Sequence, residues 1–537
     1  MNWTQVYDPL NNIFLSTLVA LLPIIYFFWA LAVKKMKGYI AGLTTVVMAV
    51  LISIFAYGMP ATMAVNSTIY GALVGLWPIG WIVINAVFLY KLTVKTGQFL
   101  IISQSITSLT DDRRLQALLI GFSFSGFIEG AAGFGTPVAI SAALLVGLGF
   151  NPLYAAGLCM IANTAPVAFG AIGIPVITAA KTAGLEPLAI SQAAGFQLGL
   201  LALIVPFWVV LAMSGLKGVK ETLPAILVSG GSFGLTMWAT ASFIGPELPA
   251  IAASLVSLLA LALFLKVWHP SHTFRFADEA AATSAGTSPR YTSGQIIKAW
   301  SPFIVLTGFI TLWGIPSFKA ILKTTNIAFE WPGLHNLVLK AAPIVTKPSP
   351  YGAVYTFDWL AAAGSGILLA ALVTMFLVGM SFKTWIATYI ENLKELKFPL
   401  ITIACVLGFA YIANYSGMSA TLGLGAAKSG KLFPFFAPIL GWLGVFLTGS
   451  DTSSCALFGN LQKISATQIG VNPVLTVAAN ATGGVAGKMI SPQSLAVAAA
   501  STGLVGKEAD IFRYTLKHSI GMVLLISLLT YLMAFVM

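Results

Sequence analysis

Charge is the scarcest property of this sequence. Only 8% of its 537 residues are Asp, Glu, Lys or Arg, whereas 58% are hydrophobic. A soluble domain carries about 25% charged residues, so this chain has too few to cover a water-facing surface. The composition therefore indicates a polytopic membrane protein. Its apolar runs predict an all-α fold with roughly 12 to 14 transmembrane or re-entrant helices, and the short alternating segments of a membrane β-barrel are absent.

Cysteine and histidine are sparse as well. The three cysteines, Cys159, Cys405 and Cys455, lie in apolar or small-residue contexts without a CxxC spacing, which argues against a disulfide framework or a zinc site. The four histidines lack a metal-ligand spacing, and no phosphate-loop motif occurs. No nucleophile–base arrangement of an enzyme is visible. We therefore expect no metal, no cofactor and no enzymatic activity.

The net charge of +12 does not indicate nucleic acid as a partner, because most basic residues lie between apolar runs. The cluster Lys34–Lys37 predicts a cytoplasmic first loop, which places the N-terminus and, by counting spans, the C-terminus outside. Polar residues 269–298 are expected to form a cytoplasmic linker between membrane halves 1–268 and 299–537. Residues 319–357 are expected to form an external loop, and 383–397 an interfacial helix.

One stretch, Gly126–Pro137, places the carboxylate Glu129 among four glycines and a proline, with apolar runs on both sides. These residues predict a broken membrane segment near 122–137. Irregular backbone and a carboxyl group persist at membrane depth only where protein or a wet cavity surrounds them. A broken segment around a titratable group is typical of a transporter site.

A second stretch, near 446–456, resembles the first in position and carries Asp451 among serines and threonines. Flanking residues repeat with nearly constant spacing, and the predicted topology reverses between the two copies. The matched positions pair Asn151 with Asn472, Asn163 with Asn480, Gly170 with Gly487 and Pro175 with Pro492. The pattern predicts two inverted-topology repeats whose broken helices meet near the middle of the membrane.

The two broken stretches and the matched asparagines define the candidate site. Glu129 and Asp451 are candidates for carrying a coupling proton, although Asp451 could instead cap a helix. Lys488 could extend to the membrane interface, pair with either carboxylate or hold a substrate carboxylate. The substrate-binding candidates are Gly130, Gly133, Thr136, Asn163, Thr164, Ser450, Thr452, Ser453, Ser454, Asn480, Thr482, Lys488 and Ser491.

Several long motifs in a fixed order resemble the L-lactate permease family of bacterial membrane transporters. They are Gly126–Thr136 (GFIEGAAGFGT), Asn151–Gly157 (NPLYAAG), Asn163–Pro175 (NTAPVAFGAIGIP), Phe243–Pro249 (FIGPELP), Gly449–Gly459 (GSDTSSCALFG) and Gly483–Pro492 (GGVAGKMISP). The resemblance covers nearly the whole chain. One departure is Cys455, where the family pattern would have Asn.

The resemblance implies import of L-lactate, and also of D-lactate and glycolate, with protons across the bacterial cytoplasmic membrane. Helix N-termini can take the carboxylate of a 2-hydroxy monocarboxylate, and Asn, Thr and Ser side chains can take its hydroxyl. A proton bound with the anion would neutralise the loaded site. Sodium coupling and an anion channel are the alternatives, and a membrane enzyme would need a catalytic constellation that the sequence does not show.

Overall fold

The computed structural model describes residues 2–133, 136–276 and 291–536. Helices dominate it. Up to residue 276 they are α1 (Ile13–Ala32), α2 (Gly38–Phe55), α3 (Ala61–Val74), α4 (Trp81–Lys95), α5 (Gln98–Thr107), α6 (Arg113–Gln116), α7 (Ser125–Ala131), α8 (Thr136–Gly147), α9 (Pro152–Ala162), α10 (Gly170–Ala183), α11 (Pro187–Phe243) and α12 (Pro249–Phe264).

From residue 291 onward ten more helices follow. They are α13 (Ser293–Gly314), α14 (Pro316–Lys323), α15 (Ala363–Val378), α16 (Phe382–Ser416), α17 (Met418–Ala427), α18 (Phe433–Thr448), α19 (Asp451–Gln468), α20 (Pro473–Lys488), α21 (Pro492–Thr502) and α22 (Glu508–Phe535). Turns of π-helix at Gly75–Gly80 and Ala117–Phe124 lead into α4 and α7.

The helix lengths confirm a multi-pass helical membrane protein. Within the described ranges, eight helical runs are long and apolar enough to cross a membrane, or nine if α9 and α10 form one span bent by 69°. The longest run, α11, has 57 residues and is interrupted at Gly215, whose φ of 67° is not helical. A span needs about 20 residues, so this run is long enough for the two crossings that the sequence predicts there.

Two groups of helices build the bundle. In the first, α16 packs along α2 and α3, while α15 lies between α4 and α13. In the second, α7 packs on α12, α10 on α19, and α20 on α18 and α22. Glycines allow the closest approaches: a Cβ added at Gly441 would lie 1.9 Å from the Asn480 carbonyl oxygen, and one at Gly483 2.1 Å from that of Pro438. Small residues permit such backbone contact between membrane helices.

The helices of the second group break where the sequence predicts. After α7, Gly133 has a φ of 61°, and the next described helix starts at Thr136; Phe134 and Gly135 lie outside the described residues. Between α18 and α19, Gly449 takes the left-handed conformation with φ of 71°. Glycine adopts such angles without steric cost. Each break thus ends one helix and lets another begin inside the protein.

Residues 383–397, where the sequence predicts an interfacial helix, are helical and form the first part of α16, which continues without interruption through Pro399 to Ser416. Two acidic residues of this part of α16 form ion pairs with another helix. Glu391 pairs with Lys95, and Glu395 pairs with Lys91, both from α4. These ion pairs hold the polar part of α16 against α4. The sequence did not show these pairs, because α4 and α16 are distant along the chain.

The loop expected at 319–357 contains α14 and short strands, which the sequence did not predict. The strands of this loop are β2 (Ile327–Glu330), β3 (Val338–Lys340), β4 (Ser349–Tyr351) and β5 (Val354–Phe357), and β1 (Trp3–Thr4) lies near the N-terminus. β3 pairs parallel with β1 and antiparallel with β4, whereas β2 pairs antiparallel with β5. Strands of two to four residues are too short to show an alternating pattern. The parallel pairing places the N-terminus and this loop on the same face.

The start of the predicted linker 269–298 is held by a buried ion cluster; residues 277–290 lie outside the described part. Arg114 has no exposed surface. Its guanidinium donates to Asp112 at 2.7 Å, to Glu221 at 2.6 Å and to the carbonyl oxygen of His272 at 2.8 Å. The cluster ties the linker to the segment that leads into α7.

Candidate functional site

Glu129 and Lys488 form a buried ion pair between the two halves of the chain. The Lys488 ammonium group donates to Glu129 Oε1 at 2.7 Å, and the side chains are 13% and 3% exposed. Glu129 lies near the end of α7, and Lys488 is the last residue of α20. Of the partners that the sequence left open for Lys488, the structure selects Glu129.

The second oxygen of Glu129 is held by its own half of the protein. Asn163 follows the last residue of α9, and its amide donates to Glu129 Oε2 at 2.7 Å. The Ser125 hydroxyl donates in turn to the Asn163 side-chain oxygen at 3.2 Å. A Cβ added at Gly170 would lie 2.6 Å from Glu129 Oε1, so this glycine gives the carboxylate its room. The carboxylate is therefore fixed on one side and paired on the other.

Asp451 is the first residue of α19 and is only 5% exposed. Ser450 caps the helix by accepting from the backbone N–H of Ser453 at 3.2 Å. Asp451 Oδ1 is 3.8 Å from the Cys455 thiol, and among the described residues its Oδ2 has no hydrogen-bond partner. A Cβ at Gly484 would lie 2.3 Å from Asp451 Oδ1. Since Ser450 caps the helix, the Asp451 carboxylate is not needed for capping.

A buried polar network joins α18, α19 and α20. Gln462 donates to the Asn480 side-chain oxygen at 3.2 Å and to the Ala437 carbonyl oxygen at 2.9 Å. The Asn480 amide lies 3.4 Å from the Ser454 hydroxyl and 3.8 Å from the Cys455 thiol. Asn163 thus contacts Glu129 directly, whereas its sequence counterpart Asn480 is linked to Asp451 only through Cys455.

A cavity of about 80 Å³ lies between the two breaks. That volume accommodates several water molecules or one small organic anion. Its charged lining groups are Glu129, Asp451 and Lys488. The remaining lining residues are Gly133, Val167, Gly170, Ala171, Pro175, Gly449, Ser450, Thr452, Gln493, Ser494 and Val497. Both broken segments therefore contribute a carboxylate to one cavity.

The predicted site residues separate into two groups in space. Gly133, Ser450, Thr452 and Lys488 line the cavity together with the two carboxylates, and Asn163 reaches it through Glu129. The others do not line the cavity. They are Gly130, which packs on Ile251; Thr136, at the start of α8; Thr164, which follows α9 and donates to the Ile161 carbonyl oxygen; Ser453 and Ser454, in α19; Asn480 and Thr482, buried in α20; and Ser491, which caps α21.

Two polar residues of the cavity escaped prediction. Gln493 and Ser494 lie in the first turn of α21, directly after Ser491-Pro492. Serine before proline is a typical helix start. Helix α21 begins at Pro492, which the repeat matches to Pro175. The polar residues of its first turn were therefore the signal in the sequence that could have identified them.

Membrane-spanning helices that break around buried polar groups form the architecture of a membrane transporter. Comparisons with known proteins agree with this class. The chain belongs to the L-lactate permease family, whose model matches residues 16–537. Its relatives are permeases, so the protein is a transporter and not an enzyme.

Two curated relatives span the whole chain. The glycolate permease GlcA of Escherichia coli K12 is 55% identical and covers 100% of this chain and 99% of its own length. The L-lactate permease of Salmonella typhimurium is 54% identical, with coverage of 100% and 98%. The solved structure of Neisseria gonorrhoeae MtrF, from a class of antimetabolite efflux pumps, is 12% identical with a TM-score of 0.50, and the match covers 95% and 97% of the two chains. This last likeness concerns the fold alone.

Proposed function

We propose that this protein imports L-lactate, together with D-lactate and glycolate, across the bacterial cytoplasmic membrane by proton symport. The relatives named for lactate and glycolate support the substrate class. The observation that carries the proposal is the small cavity in which Lys488 and two carboxylates face one another. A 2-hydroxy monocarboxylate needs one cation for its carboxylate and neutral polar groups for its hydroxyl.

The cavity supplies both kinds of group. Lys488 is the one cationic residue among its described lining residues, and Thr452, Gln493 and Ser494 offer hydroxyl and amide groups. The N-terminus of α19 adds backbone N–H groups beside the space. The substrate carboxylate would bind Lys488, and its hydroxyl would bind the neutral side chains. Such transport needs no cofactor beyond the coupling proton.

Alternating access would move the broken helices against the group formed by α2–α4 and α13–α16. The two halves, 1–268 and 299–537, are inverted repeats in this scheme, with both chain termini outside. The paired breaks after α7 and α18 support it, as do the matched helix starts at Asn151-Pro152 and Asn472-Pro473. The cavity lies between the breaks, so movement of the broken helices relative to this group would open it to either side.

Uptake of radiolabelled L-lactate into proteoliposomes tests the function. We expect saturable accumulation under an imposed inward proton gradient, competition by D-lactate and glycolate, and no stimulation by a sodium gradient alone. Protein-free liposomes control for permeation of the undissociated acid. Accumulation driven only by a sodium gradient would show that the coupling ion is sodium and not the proton. Conduction without saturation or accumulation would indicate a channel and contradict the proposal.

A further inference from the structure

We propose that the substrate carboxylate and Glu129 compete for Lys488, and that this competition couples the proton to the substrate. The inference rests on the proposed function and assigns separate roles to the groups of that site. Lys488 is the substrate-binding cation, and Glu129 becomes the proton acceptor only when the substrate has taken Lys488 away from it. Asn163 is a positioning residue for Glu129.

The resting contacts give each oxygen of the Glu129 carboxylate a hydrogen-bond donor. Lys488 donates to Oε1 and Asn163 donates to Oε2, each at 2.7 Å. The pair is neutral as a whole, so it avoids the cost of an isolated buried charge. As long as both bonds persist, both oxygens of the Glu129 carboxylate are occupied by donors. This suppresses proton leak in the absence of substrate.

Lys488 is the member of the pair that can change partners. Its ammonium group carries three donors on a flexible stem, and its side chain is the more exposed of the two. Lys488 also lines a second, narrower cavity together with Asn163 and Ser494, so it lies between two spaces. Glu129, in contrast, is enclosed by α7, Gly170 and Asn163. A substrate anion in the larger cavity can therefore reach Lys488 without moving α7.

Exchange of partners leaves a charge that only a proton can neutralise. When Lys488 pairs with the substrate carboxylate, Glu129 Oε1 loses its cation while Asn163 still occupies Oε2. The other charged group facing Glu129 across the cavity is Asp451, which is also acidic. Of the helices packed around α7, α8, α9 and α12 carry no charged residue. Helix α10 carries Lys181, which lines a different cavity, and α4 carries Lys91 and Lys95, which pair with acidic residues of α16. Oε1 then takes one proton from the aqueous side to which the site is open.

The charge count explains obligatory coupling. The loaded site holds the substrate anion, the Lys488 cation and a neutral Glu129, and the empty site holds the Lys488–Glu129 pair. Both forms carry the same net charge, provided that Asp451 has the same protonation state in each. Both can therefore change from one side of the membrane to the other. On release, the substrate leaves Lys488, Glu129 gives its proton to the opposite side, and the pair re-forms. A site with substrate but no proton retains an extra negative charge and does not cross.

Proton uptake on binding tests the exchange directly. Purified protein in detergent is titrated with L-lactate in weakly buffered solution containing a pH indicator. We expect the wild type to take up about one proton per bound lactate. Glu129→Gln keeps an oxygen for Lys488 and should bind lactate with loss of that proton. The matched carboxylate variant Asp451→Asn should bind lactate and still take the proton up.

Each other outcome is decisive. Lactate binding by the wild type without proton uptake overturns the exchange and leaves the transport of lactate standing. Proton uptake that persists in Glu129→Gln, or is lost in Asp451→Asn alone, also overturns it and assigns the proton elsewhere. Absence of binding of both L-lactate and glycolate to the wild type overturns the proposed function, and with it this inference.

Discussion

Replacing Lys488 with methionine is expected to lower the affinity for L-lactate roughly 10- to 100-fold, since a hydrogen bond between charged groups contributes about 1.5–3 kcal/mol. Methionine is one atom shorter than lysine, so it keeps most of the length of the side chain while removing the cation. Coupled uptake should be lost, because no other cationic residue lines the cavity within the described residues. Binding titrations and proteoliposome uptake measure the two effects. Lactate affinity and uptake equal to those of the wild type would contradict the role of Lys488.

The single variant also leaves Glu129 buried without its partner, which destabilises the fold. The double variant Glu129→Gln/Lys488→Met removes both charges and separates the two effects. We expect its thermal unfolding midpoint to return toward that of the wild type, while lactate affinity stays low. If the double variant regained affinity together with stability, the loss in Lys488→Met would be one of folding, and Lys488 would not bind substrate.

Replacing Arg114 with methionine is expected to destabilise the protein by about 3–5 kcal/mol, the usual cost of leaving a buried ion-pair partner, here Asp112, uncompensated. Arg114 is completely buried and bonds both Asp112 and Glu221. Methionine fills part of the space but leaves two carboxylates without their cation. The free energy of unfolding, or the thermal midpoint in detergent, measures the effect.

Arg513→Met is the matched control for this prediction. The Arg513 side chain is 79% exposed, and its nitrogen lies 3.7 Å from Asp510 in the same helix. An exposed pair of this kind contributes about 0–1 kcal/mol, so the control should unfold close to the wild type. Equal stability of the two variants would contradict the structural role of the Arg114 cluster.

The sequence predicted the membrane fold and both breaks because glycines, prolines and carboxylates are visible locally. Scarcity of charge specified a helical membrane protein. Gly133 and Gly449 adopt the backbone angles that end their helices. The motifs also led to the correct family. These features depend on residues close together along the chain, which is why they could be read without a structure.

Contacts between distant segments could not be predicted in the same way. Glu129 and Lys488 are 359 residues apart, and the pairing depends on how the two halves pack. The same reason explains the continuous α16, whose acidic residues find partners on α4. Gln493 and Ser494 were missed because neither residue type stands out until the α21 N-terminus is placed at the cavity. Sequence thus located the segments, and packing determined which of their polar groups meet.

The most direct test of the proposed coupling is to measure lactate-driven proton movement in proteoliposomes that contain the Glu129→Gln variant. In this variant the loaded site is neutral and can cross, but the empty site retains the unpaired Lys488 cation and cannot return. We expect exchange of labelled for unlabelled lactate across the proteoliposome membrane to continue, while net uptake and the accompanying alkalinisation of the medium are lost. Alkalinisation at the wild-type rate with the wild-type pH dependence would show that Glu129 does not carry the proton.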